Sequence, residues 1–158
     1  MLTQLVSEAA PSAPKSPQPR PPRTAAELEA ALIAVAESYL GRLMRPQQLA
    51  LLRVVIAEGS RVPELTEAFR STVPGGDAAA VMAIIEGGRA SGLVPESVDP
   101  RAAARALASL LLAFVFRDGL LAPRPRPPDR RQLAEMVHLL VSGITARPGA
   151  PAGEEVSR

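Results

Sequence analysis

The sequence predicts an all-α protein, a helical bundle of about six helices, and three observations carry that expectation. Apolar residues recur three and four positions apart through most of the chain. No stretch alternates apolar and polar residues as a half-buried strand does. Prolines and glycines stand at the edges of the periodic stretches, where they draw helix boundaries.

Taken in order, Met1 to Ala10 can make a short amphipathic turn through Leu2, Leu5 and Val6, too short to be stable alone. Pro11, Pro14, Pro17, Pro19, Pro21 and Pro22 then fall in a stretch with almost nothing to bury, which predicts a disordered or polyproline-like arm over residues 1–23. Thr24-Ala25-Ala26-Glu27 is a capping box, and Leu28, Leu32, Val35, Tyr39 and Leu43 follow at helical spacing. Pro46 opens a second helix with the face Leu49, Leu52, Val55 and Ile56, closed by Gly59. Pro63 opens a short third one, with Leu65 and Phe69 inward, stopped at Pro74-Gly75-Gly76. Asp77 is expected to cap a fourth helix carrying Val81, Met82, Ile84 and Ile85. Gly87 and Gly88 each cost about 1 kcal/mol against alanine inside a helix, so its second half is expected to be soft until Gly92 ends it.

Asp99 to Leu121 is the segment around which the others are expected to gather. Asp99 suits the N-cap, Pro100 the first helical position, and Gly119 the end. Arg101, Arg105, Ser109 and Arg117 form one polar line, and nearly everything off that line is apolar. Such a helix needs two surfaces to cover it, one from its own domain and one from a second copy of the chain. A membrane is excluded by length, because the uncharged run Ala106 to Phe116 is well short of the roughly 20 residues a span requires. The last helix starts at Asp129, with Gln132 at the third position, and repeats Leu133, Met136, Val137, Leu140, Val141 and Ile144. Residues 147–158 are polar and expected to be disordered, which leaves 24–146 as the folded domain.

Composition removes several classes of function. The chain of 158 residues has no cysteine, so neither disulfides nor thiol chemistry arise, and its formal charge of +2 does not argue for nucleic acid. The N-terminus shows no basic and apolar signal sequence, which points to the cytoplasm. No serine has the Asp, His and glycine-elbow context of a nucleophile, and Gly87, Gly88 and Gly92 do not follow a strand as a phosphate loop does. The single histidine, His138, follows Glu135 in a Glu-x-x-His spacing, yet the carboxylates that a di-iron site also needs are missing. It reads as a surface or interface histidine paired with Glu135, with no metal and no cofactor. Arg124, Arg126, Arg130 and Arg131 lack interleaved aromatics and read as a solvated, proline-stiffened segment.

Leu51 to Phe69, LLRVVIAEGSRVPELTEAF, resembles the middle of the effector-binding domain of the TetR/AcrR family of transcriptional regulators. The resemblance lies in Val55-Ile56-Ala57-Glu58, then Arg61, Pro63-Glu64-Leu65 and Phe69. Phe114 to Leu121 and Val137 to Ile144 resemble that family's last two helices. The resemblance implies a homodimer whose last two helices pair with their counterparts as a four-helix bundle, and a pocket for a small, often apolar or aromatic effector. The residues expected at the pocket are Tyr39, Met44, Arg53, Phe69, Met82, Ile85, Arg89 and Phe114, bulky or polarisable groups with a few polar ones. Those expected at the dimer interface are Leu110, Leu111, Val115, Leu133, Met136, Val137, Leu140, Val141 and Ile144. Effector-linked motion is expected around Gly87 and Gly88. The family's helix-turn-helix has no counterpart ahead of Thr24, so this chain by itself is not expected to bind DNA. The alternative is a helical assembly protein with no small-molecule ligand.

Overall fold

The computed structural model describes residues 21–64, 67 and 75–145, and all regular structure among them is helical. Five helices are laid out as α1 (Ala25–Leu43), α2 (Pro46–Glu58), α3 (Gly75–Ala90), α4 (Pro100–Phe114) and α5 (Arg130–Thr145). A six-residue π turn, Val115–Leu120, extends α4. Pro63 and Glu64 begin the expected short helix, but Leu65 and Phe69 lie outside the described residues, as do residues 1–20 and 146–158.

The local start and stop signals work as their chemistry requires. The Thr24 hydroxyl accepts from the Glu27 N–H at 3.2 Å, and the Glu27 carboxylate accepts from the Arg23 N–H at 2.7 Å, closing the capping box one residue early. Asp99 accepts from the Arg101 N–H at 3.0 Å, and Asp129 from the Gln132 N–H at 2.8 Å. After α3, Gly92 takes φ +74°, which an L side chain rarely adopts. The Leu93 N–H then reaches the Gly88 carbonyl and the Gly92 N–H the Arg89 carbonyl, both at 2.9 Å, the two bonds of a Schellman cap.

The central element is α1, not α4. It touches each of the other four helices and buries Leu28, Leu32, Ala36, Tyr39, Leu40 and Leu43. Two pairings carry the rest of the bundle, α3 on α4 and α5 on α1, whereas α4 and α5 meet each other only briefly. The second expected surface of α4 is therefore supplied in part by its own chain: Leu107, Leu111 and Val115 are buried, Leu112 and Phe114 half-buried, and Leu110 and Phe116 remain about 40% exposed. On α2, Leu49, Leu52 and Val55 face inward, but Ile56 is 54% exposed, because Leu52 and Val55 already fill the face turned to the core.

Gly87 and Gly88 lie within α3, which runs unbroken to Ala90. They let other chain segments come close. A Cβ at Gly87 would stand 3.2 Å from Pro21 Cα and from Pro22 Cδ, and one at Gly88 2.8 Å from Val94 Cγ2. Pro22 is buried there, and its carbonyl accepts from the Ser91 hydroxyl at 2.7 Å, so the end of the proline arm is seated on α3 ahead of the expected boundary at Thr24.

Candidate functional site

Between α1, α3 and α4 lies a cleft of about 330 Å³, within the range of small-molecule sites. Val35 and Tyr39 come from α1, and Asp77, Ala78, Val81 and Met82 from the first half of α3. Arg101, Ala104, Arg105, Leu107, Ala108 and Leu111 come from α4. The space exists because Ala78, Ala104 and Ala108 stand where larger side chains would fill the gap between packed helices. Ala104 and Ala108 are one turn apart and share a face, so their small size adds up along one groove.

The polar groups of the cleft sit at its edges. Asp77 pairs with Arg42 of α1, joining the first turn of α3 to the last turn of α1. This corrects the expectation that Asp77 is the helix cap: α3 begins at Gly75, and the carboxylate serves an ion pair across the fold. The Tyr39 phenol is pushed above its ordinary range, first by burial and then by the Asp77 charge, with Arg42 opposing. Its contribution to stability is therefore complete below the unfolded phenol value near 10 and is lost as pH rises through the higher folded value. Tyr39 is the only tyrosine and the chain has no tryptophan, so tyrosinate absorbance reports this group alone. An alkaline titration is expected to give a midpoint above that of free tyrosine; an equal or lower one would mean the phenol stands in open water.

Arg101 and Arg105 lie one turn apart on α4 at the cleft edge, both exposed. Neither forms an ion pair with any described residue.

Of the expected pocket residues, the structure brings Tyr39 and Met82 together here. Ile85 is fully buried in the core one turn further along α3. Met44 and Arg53 belong to the junction of α2 with the π turn: a Cβ on Gly119 would stand 2.9 Å from the Met44 sulfur, and Arg53 Nη2 reaches the carbonyls of Gly119 and Leu120 at 3.4 Å. Arg89 is at the opposite end of α3 from the cleft, beside Glu86 and Glu96. Phe114 is not among the residues that line the cleft, and the Arg117 guanidinium stands 5.2 Å from its ring centre. Phe69 lies outside the described residues.

The expected dimer face divides in the same way. Leu111, Val115, Leu133, Val137 and Val141 are buried in the chain's own core. Leu110 is 40% exposed, and Met136, Leu140 and Ile144 are half-buried at the edge of that core. Leu139, not among the expected residues, is 73% exposed. His138 pairs through Nδ1 with Glu29 of α1 at 2.7 Å, not with Glu135, which is held by Arg131 at 2.9 Å. Among the described residues no group of three or more potential ligands is placed to hold a metal ion, and no helix is long and apolar enough to cross a membrane.

Residues 30–147 match the family model described as the AefR-like transcriptional repressor, C-terminal domain. That span covers well over half of the chain. The chain belongs to the TetR family of transcriptional regulators. Comparisons with curated proteins and with solved structures gave no match. TetR C-terminal domains are helical and typically dimerise and bind small-molecule effectors, and the matched span takes in every residue that lines the cleft.

Proposed function

We propose that residues 24–146 are the effector-sensing and homodimerising unit of a TetR-family regulator, acting in the cytoplasm by binding and not by catalysis. The cleft between α1, α3 and α4 takes a small ligand with an apolar or aromatic body. The observation that carries this reading is the cleft itself, an apolar groove bounded by Tyr39 and by charged groups at its edges, inside the span that matches an effector domain. Self-association is assigned to the outward flanks of α4 and α5. DNA reading is assigned to no element of residues 30–147.

Ala108→Trp tests the cleft. The indole occupies the groove, so an apolar probe such as para-pentylbenzyl alcohol is expected to raise the Tm of the unaltered protein and leave that of the variant unchanged. Equal binding by both proteins would place the ligand elsewhere. With no response from the unaltered protein either, the helical assembly role without a ligand becomes the better reading.

A further inference from the structure

We propose that the cleft selects organic anions, an apolar body ending in a carboxylate, and that Arg101 and Arg105 hold the head group. The inference rests on the reading of the cleft as the ligand site and adds the chemical class of the ligand.

The charges around the cleft do not cancel. Its one acidic lining residue, Asp77, is already neutralised by Arg42, which leaves the guanidiniums of Arg101 and Arg105 as the excess. Arg117, Arg130 and Arg131 are matched by Asp118, Glu37 and Glu135, and the other exposed arginines without an ion pair among the described residues, Arg23, Arg45, Arg53, Arg61, Arg124 and Arg126, do not line the cleft. Two like charges one turn apart on a helix repel, and an anion between them removes that repulsion.

The apolar part of the cleft is adjacent to these charges on the same helix. Ala104 and Ala108 are next to Arg101 and Arg105 on α4, and Val81 and Met82 face them from α3. A ligand that lays its apolar body along the alanines brings its end group to the guanidiniums. Arginine is suited to a carboxylate because its planar fork donates two parallel hydrogen bonds. An alcohol of the same body gains the apolar contacts but not the charge-assisted ones.

The test compares decanoate with decanol and para-pentylbenzoate with para-pentylbenzyl alcohol on the full chain, read by Tyr39 fluorescence and by Tm. Each acid is expected to bind about tenfold or more tightly than its alcohol, an advantage that shrinks as salt is added. In the double variant Arg101→Gln with Arg105→Gln the advantage of acid over alcohol disappears while the alcohols still bind, which a variant that merely misfolds would not show. Alcohols binding as tightly as the acids, or an acid preference that survives the double variant, overturns the anion assignment and leaves the cleft reading standing. If all four probes fail to bind, or bind equally to the Ala108→Trp variant, the cleft reading falls and this inference with it.

Discussion

Leu32→Ala is expected to lower the free energy of unfolding by about 2–5 kcal/mol, enough to consume much of the stability of a domain this size. Leu32 is fully buried at the middle of α1, the helix that touches the other four. Truncation removes its transfer free energy and leaves a void whose walls belong to several helices, so relaxation of any one of them cannot close it. Ile56→Ala is the contrasting change, at a residue of the same apolar class that is 54% exposed, and it is expected to stay within about 0.5 kcal/mol of the parent. Both are read from urea midpoints at one fixed protein concentration, because the midpoint of a self-associating protein depends on it. A small effect at Leu32 would mean that α1 is not the element against which the others fold.

Helix boundaries were legible in the sequence because their causes are local. Thr24, Asp99 and Asp129 each cap through a hydrogen bond two or three residues away, Pro46 and Pro100 fit the first helical position, and Gly92 supplies the positive φ. What periodicity could not show is which element covers which face. It marked Leu133, Val137 and Val141 as apolar, as they are, but could not show that α1 of the same chain covers them. The same limit applies to polar groups. His138 has Glu135 at a suitable spacing and turns instead to Glu29, 109 positions away. Asp77 has the chemistry of a cap and pairs with Arg42, 35 positions away.

The cleft was only half legible for a related reason. Large and polarisable residues were expected to line it, whereas a groove between helices forms where side chains are small. Ala104 and Ala108, alternating by turns with Arg101 and Arg105, carried that signal: two alanines on one helical face, framed by charge. The sequence shows Arg101, Arg105, Ser109 and Arg117 as one polar line along α4 and its π turn. That line is also the rim of the site, since a line of arginines tells which way a helix faces water but not whether a neighbouring helix leaves space beside it.

Leu139→Asp is expected to weaken self-association by about a hundredfold or more while leaving the protomer folded. Along α5 the line Leu133, Val137 and Val141 is spent on the chain's own core, so a partner can be met only by the flank beside it. By helical spacing that flank is Met136, Leu139, Leu140 and Gly143. Leu139 is 73% exposed, and nothing lies within 4 Å of where a Cβ on Gly143 would stand, so a second helix can approach closely there. In a twofold interface each substitution acts twice. Burying a leucine contributes about 1.5–3 kcal/mol, so the pair supplies roughly 3–6 kcal/mol, and a carboxylate in its place adds a desolvation cost. Sedimentation equilibrium reads the dissociation constant, circular dichroism reads the fold, and retained binding of an apolar probe in the cleft shows that α1, α3 and α4 are undisturbed. Val137→Asp, two residues earlier and fully buried, is expected instead to unfold the chain, because its charge would lie in the core between α1 and α5. If Leu139→Asp dimerises as tightly as the parent, the contact between copies lies elsewhere, and the exposed Val54 and Ile56 of α2 become the surface to substitute next.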